Sequence, residues 1–254
     1  MRVGAIVQAR MGSRRLPGKV LFQAAGKSLL EHLIERLLHS KTLNLIIVAT
    51  SRELQDDAIV ALCHERGYSI FRGSECDVLD RYYQAARHFR LSTIVRVTAD
   101  CPLIDPDLVD ELVEYFLSHE GEYELVTNRH PLTFPDGLDA DVFSMAALTE
   151  AWKNAQTAYQ REHTIPYFWE AGRRVFNFQH PDNLFLRYRW TLDYPEDYVL
   201  IRQIYEHLYR PGHVFGLNDI LHLLSQHPEL SQINAKYLPP STNCGRKQSI
   251  FDKV

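Results

Sequence analysis

Short apolar runs alternate with amphipathic stretches through the first half of the chain. Val3 to Gln8 (VGAIVQ), Leu43 to Ala49 (LNLIIVA), Tyr68 to Phe71 and Ser92 to Thr98 (STIVRVT) read as strands. They are mostly apolar rather than strictly alternating, the pattern of strands buried on both faces of a parallel sheet. Tyr123 to Thr127 predicts a fifth. Between them, Leu29, Leu30, Leu33, Ile34, Leu37 and Leu38 recur at helical spacing behind Ser28, which is placed as an N-cap. Asp56 to Arg66 predicts a helix closed by Gly67, and Val78 to Phe89 predicts another. Asp105-Pro106 opens a fourth, with Asp as the cap and Pro at the first helical position. The order β-α-β-α-β-α-β-α-β implies an α/β fold with a doubly wound, parallel sheet and helices on both faces.

The second half is less regular. Residues 128–140 hold Pro131 and Pro135 and read as a loop. Helices are predicted at Met145 to Ala155, Arg161 to Ala171, Glu196 to Tyr209 and Leu217 to Ser225, and strands at Val175 to Gln179 and Leu186 to Leu192. From Pro239 the chain is polar and rich in turn residues, as a loose tail is.

Composition adds a compartment and removes several classes. Of 254 residues 45% are hydrophobic and 24% charged, which is globular and excludes collagen, coiled coil and disorder. The longest apolar stretch, Leu45 to Ala49, is far short of the roughly 20 residues that span a bilayer. Val3 to Val7 stops at Gln8 and Arg10 without a cleavage site, unlike a signal peptide. Cys63, Cys76, Cys101 and Cys244 form no C-x-x-C pair and have no His at zinc-ligand spacing, so reduced thiols and a cytoplasmic location are expected.

Charge is unevenly placed. Met1 to Leu30 holds Arg2, Arg10, Arg14, Arg15, Lys19 and Lys27 and no acid, so the rest of a chain of net charge -4 carries -10. A local cationic loop on an acidic chain suits a small polyanion and argues against nucleic acid as a partner.

That loop, Gln8 to Leu21 (QARMGSRRLPGKVL), follows the first strand. It therefore lies at the carboxyl end of the sheet, where open α/β folds bind ligands. Two glycines and four cations with no nearby acid in the sequence match the needs of phosphate oxygens. It is not a Walker loop, because the spacing from Gly12 to Gly18 is one residue too long and Val20 replaces the hydroxyl. In Val95 to Pro106 (VRVTADCPLIDP), Asp100 falls just past a strand. It is either a turn-capping residue or a carboxylate beside a polyphosphate, where Mg2+ binds through one or two carboxylates plus phosphates. Asp193, in Arg187 to Asp197 (RYRWTLDYPED), is either a helix cap or a second carboxylate ligand. Gly73 to Arg81 (GSECDVLDR) is either an ordinary helix start or a contact to base or ribose. Phe134 to Phe143 (FPDGLDADVF) and Arg161 to Tyr167 (REHTIPY) are either surface loops or the lining of an acceptor pocket.

Taken together, these segments resemble the cytidylyltransferases that activate sugar acids, the CMP-Kdo and CMP-acylneuraminate synthetases. The likeness is strongest to their relatives of the spore coat polysaccharide biosynthesis protein F type. It rests on QARMGSRRLPGKVL, FRGSECDVLDRYYQAA, RVTADCPLIDP, FPDGLDADVFS, REHTIPY and RWTLDYPEDY in that order, over roughly residues 1–235. It implies a three-layer α/β/α fold of the nucleotide-diphospho-sugar transferase type with a mixed, mainly parallel sheet. It also implies one domain over 1–238 and a homodimer built on the second half. In that domain 1–127 would bind the nucleotide and 128–238 the acceptor, with 239–254 as the tail.

The resemblance further implies that Arg10, Ser13 and Lys19 hold the triphosphate of CTP, with Ala9, Gly12, Arg15 and Asp77 around the nucleotide. Asp100 and Asp193 would be the ligands of Mg2+, and Arg10, Lys19 and Asp100 the catalytic group. The residues that help read cytosine in the Kdo enzymes, Ser-Gly-Thr, are here Asp77-Val78-Leu79. An acidic acceptor would be gripped by arginines drawn from Arg129, Arg161, Arg187 and Arg189, with Asp139 beside them. The expected reaction is CMP transfer from CTP to an acidic sugar or related acid, with loss of pyrophosphate, in surface polysaccharide synthesis. The alternatives are another nucleotidyltransferase or a glycosyltransferase of the same fold, or a nucleotide-binding module without catalysis.

Overall fold

The computed structural model describes residues 2–240, and the tail expected from Pro239 lies outside them from residue 241 on. The first half runs β1 (Val3–Gln8), β2 (Gln23–Ala24), β3 (Lys27–Ser28), α1 (Leu29–Leu37), β4 (Leu45–Ser51), α2 (Asp57–Arg66), β5 (Ser69–Gly73), α3 (Val78–His88), β6 (Thr93–Thr98), α4 (Pro106–Ser118) and β7 (Leu125–Thr127). The second runs β8 (Asp141–Ser144), α5 (Met145–Asn154), α6 (Ala158–His163), α7 (Pro166–Glu170), β9 (Val175–Asn177), α8 (Pro195–Leu208), α9 (Leu217–Gln226) and α10 (Pro228–Gln232).

Seven strands form one sheet in the order β5-β4-β1-β6-β8-β7-β9. β8 pairs antiparallel with β6 and β7, and every other pairing in this sheet is parallel. The small ribbon β2–β3 stands apart. Alternate residues of β1 feed the two cores, as the period of a strand requires. Val3, Ala5 and Val7 face one side with α1, α2, α4, α8 and α9, whereas Ile6 faces the other with α3, α5 and α7.

Local signals act where the sequence places them. Ser28 accepts from the amide of Glu31 at 3.3 Å while Glu31 accepts from the amide of Ser28 at 2.8 Å, a capping box. Asp105 caps α4 ahead of Pro106, and Gly67 closes α2 at φ 69°.

Three expectations change. The helix expected over Arg161 to Ala171 is two short helices, α6 and α7, broken at Thr164, whose φ is 66°. A β-branched residue does not continue a helix there. The strand expected over Leu186 to Leu192 is not one. It has a single bridge, Asp136 to Arg189, and its backbone bonds otherwise go to loop atoms. The wholly parallel order expected from the first half is broken by an unexpected strand, β8, which follows the loop over residues 128–140 and inserts antiparallel between β6 and β7. Among the described residues no helix is long and apolar enough to cross a membrane.

Candidate active site

The loop after β1 is folded by its own backbone. The amides of Ser13 and Gly18 both donate to the carbonyl of Met11 at 2.9 Å, and the amide of Met11 donates to Asp56 at 2.7 Å. Gly18, at φ 72°, turns the chain into a short 3-10 segment, Lys19–Leu21. That turn drives Lys19 inward until it is 8% exposed. Its Nζ donates to the carbonyl of Leu192 at 2.6 Å, to Asp193 at 2.9 Å and to Asp100 at 3.4 Å.

The two carboxylates come from distant segments of the chain and are docked by backbone. Asp100 sits just past the end of β6. Its carbonyl accepts from the amide of Leu192 at 2.8 Å and from the hydroxyl of Thr191 at 3.2 Å. The next residue, Asp193, is thereby held beside Asp100. Gly137 permits this docking. Its φ is 112°, and a Cβ there would stand 2.4 Å from the backbone of Trp190 and Thr191. The Trp190 amide donates to the Asp136 carbonyl at 2.6 Å.

Asp193 is crowded with cations. Besides Lys19, it meets Arg15 at 2.9 Å and Arg189 at 3.2 Å. The sequence shows a cationic loop without a neighbouring acid; the fold brings one from the far end of the chain, so Arg15 and Lys19 are neutralised by Asp193. Arg10, by contrast, has no hydrogen-bond or ion-pair partner among the described residues, and neither does Arg14. Burial pushes the Asp100 carboxyl up, but Lys19 and a hydrogen bond from Thr98 outweigh it and hold it at about 2. Burial likewise pulls the Lys19 ammonium down, and Asp100 and Asp193 more than reverse that.

Beyond these lies a layer of paired charges. Arg129 meets Asp139 at 2.9 Å, and Arg96 meets Asp141 at 2.8 Å. Arg189 meets Asp136 at 2.7 Å and the fully buried Asp197 at 3.2 Å. Arg189 is held protonated against its burial by Asp136, Asp197 and Asp193. The Asp136 carboxyl is nonetheless pushed up to about 7, because burial and the neighbouring Asp139 outweigh a guanidinium shared with two other carboxylates. Asp139 is also raised, by burial first, against the pull of Arg129.

The structure therefore brings Arg15, Lys19, Asp100, Asp193 and Arg189 together at the carboxyl ends of β1 and β6. Ala9, Gly12 and Ser13 belong to the same loop. Arg129 and Asp139 pair with each other in the neighbouring layer. Asp77 and Arg161 also pair, at 2.7 and 2.9 Å, and Asp77 caps α3 through the amide of Asp80 at 2.9 Å. Arg187 is exposed and lies over the Tyr188 ring. Sequence reasoning missed Asp136, Asp197 and Arg96 as parts of this cluster. Asp197 alone had a signal, its place three residues past Tyr194 at the start of α8, where a cap partner belongs.

Among the described residues no group of three or more His, Cys, Asp and Glu has the arrangement of a metal site. The pair Asp100 and Asp193 does converge on one cation, the Lys19 ammonium. That donor set fits Mg2+, which takes one or two carboxylates and leaves the rest to phosphate and water.

Comparison with known proteins gives the family. The sequence profile of the family described as cytidylyltransferase matches residues 4–213. The spore coat polysaccharide biosynthesis protein SpsF of Bacillus subtilis is 34% identical, covering 88% of this chain and 94% of its own. A 3-deoxy-manno-octulosonate cytidylyltransferase of Trichlorobacter lovleyi is 27% identical, covering 82% and 85%. A solved cytidylyltransferase from Leptospira borgpetersenii superposes with a TM-score of 0.87 at 34% identity, covering 91% of this chain and 97% of that one. With the carboxyl-end loop, the two carboxylates on Lys19 and this match over most of its length, the chain belongs to the cytidylyltransferase family of enzymes.

Proposed function

We propose that the enzyme transfers CMP from CTP to a sugar acid, using the site around Lys19, Asp100 and Asp193. One observation carries the reading: a cationic loop and two carboxylates from distant segments meet at one buried ammonium. CTP and an acceptor hydroxyl become a CMP ester, pyrophosphate and a proton. The bond formed is from acceptor oxygen to the α-phosphorus, and the bond broken is from that phosphorus to the bridging oxygen of the leaving pyrophosphate.

Asp100 and Asp193 would hold Mg2+, which supplies charge neutralisation at the α-phosphate when bound. The protein's own part is positioning and electrostatics. Arg10, without an ion-pair partner of its own, is free to take a phosphate oxygen. Lys19 and Arg15, now on Asp193, are within reach of the charge that builds on pyrophosphate. Asp100, ionised at any physiological pH, stays an acceptor of cations rather than a source of protons. The acceptor lies toward Arg129, Asp139 and Arg189. Support for a sugar acid comes from the octulosonate-activating relative, and support for polysaccharide synthesis from the spore coat relative.

Pyrophosphate release with CTP, Mg2+ and a panel of 2-keto sugar acids tests the reaction, with the CMP ester identified by mass. Release with at least one acid, abolished by chelation, is the expected result. Release with a neutral hexose phosphate and with none of the acids would overturn it.

A further inference from the structure

Asp193 does not hold its own position. Its amide donates to Asp197 at 2.9 Å, and the amide of Tyr194 donates to the same oxygen at 3.0 Å. Asp197 also accepts from Arg189, through Nε at 3.2 Å and Nη2 at 3.3 Å. A fifth donor comes from much later in the chain. Asn234 Nδ2 reaches Asp197 Oδ1 at 2.8 Å and the carbonyl of Arg189 at 2.9 Å, and Asn234 is 2% exposed. One buried amide thus ties the Asp193 turn and the Arg189 backbone to a single carboxylate. The neighbouring residues fasten the same segment to α8. Tyr237 stacks on Tyr194 at 3.9 Å and donates to Glu196 at 3.0 Å, and Lys236 pairs with Glu196 at 2.7 Å. Asn234, Lys236 and Tyr237 all lie beyond residue 213, where the family match ends.

We propose that Asn234, acting through Asp197, is a positioning residue of the active site, so that the segment after α10 completes the cation-binding corner at Asp193. The inference rests on the reading of Asp193 as a carboxylate that meets the metal–nucleotide complex. A buried carboxylate filled by five donors has one arrangement. With the Asn234 donor gone, Asp197 and the carbonyl of Arg189 each lose a partner and the Asp193 turn loosens. Removal of an outer hydrogen-bond partner of this kind costs about ten- to a hundredfold in metal affinity or activity.

The test is Mn2+ uptake in the presence of CTP, read by electron paramagnetic resonance, beside metal-free binding of CMP and the urea unfolding midpoint. Asn234→Leu removes the donor at similar volume, Asp197→Asn keeps the shape and removes the charge, and Tyr237→Phe keeps the stacking but removes the hydrogen bond to Glu196. Asn234→Leu and Asp197→Asn should each weaken Mn2+ uptake about tenfold or more, with CMP binding unchanged. Tyr237→Phe should match the wild type. If Asn234→Leu does not fold, Asp197→Asn decides in the same way. Unchanged Mn2+ affinity in the folded variant overturns the inference, and so does an equal loss in Tyr237→Phe, which would mean general anchoring. A wild type that takes up no Mn2+ with CTP overturns the functional reading and this inference with it. A wild type that does, beside an unaffected variant, overturns this one alone.

Discussion

Lys19 spends its charge on two carboxylates that repel each other without it. Asp100→Asn should therefore fold well and turn over about a hundredfold more slowly, as loss of one preorganised electrostatic contact does. Near-wild-type turnover would remove Asp100 from the mechanism. Lys19→Met should be destabilised, since removing one member of a largely buried pair leaves charge uncompensated. The pair is in contact, so its effects should not add. Asp100→Asn in the Lys19→Met background should regain stability, by about 1 kcal/mol or more in urea unfolding. Strict additivity would mean that the ammonium and Asp100 do not interact. Lys19, Asp100 and Asp193 were legible because each follows an apolar strand-like run or a resemblance motif. Asp136 was not, because its role depends on pairing with Arg189, 53 residues later.

At the scale of elements, the site depends on an irregular strip rather than on a strand. Leu186 to Leu192 has the aromatic and branched residues of a strand, and the sequence carries no sign that the partner is a loop containing Gly137. The close approach there permits no Cβ. Gly137→Ala combines a positive φ with a backbone clash and should cost about 3 kcal/mol, read as a fall in the urea midpoint. A stability unchanged from wild type would show that the 136–138 loop does not dock as described. The first-half elements were legible because capping residues mark their ends: Ser28 for α1, Gly67 for α2 and Asp105-Pro106 for α4. The break at Thr164 was not, since a positive φ at a β-branched residue is imposed by packing and leaves no local signal.

For the whole molecule, charge placement sets both stability and ligand choice. Asp136 titrates at about 7 in the folded chain against an ordinary 3.8, so the folded state binds its proton more tightly than the unfolded state. The stabilisation is complete below about pH 3.8 and is lost as pH rises through about 7. Relative to Asp136→Asn, wild-type stability should thus fall as pH rises from about 4 to about 7, in thermal unfolding across that range. Parallel curves would contradict the raised carboxyl. The net charge misleads at this scale, because Lys19 of the +6 N-terminal segment meets acids 81 and 174 residues away in sequence. Asp77, by contrast, is committed within the fold to Arg161 and to the cap of α3.

The most direct measurement is thermal unfolding with CTP, UTP, GTP and ATP in turn, each with and without Mg2+, in wild type and Asp100→Asn. A ligand at about 100 times its Kd adds about 2.7 kcal/mol of stability. The account predicts a clear upward shift for CTP that requires Mg2+ and is lost in Asp100→Asn. An equal shift in the variant, or a shift with another nucleotide and none with CTP, would contradict it.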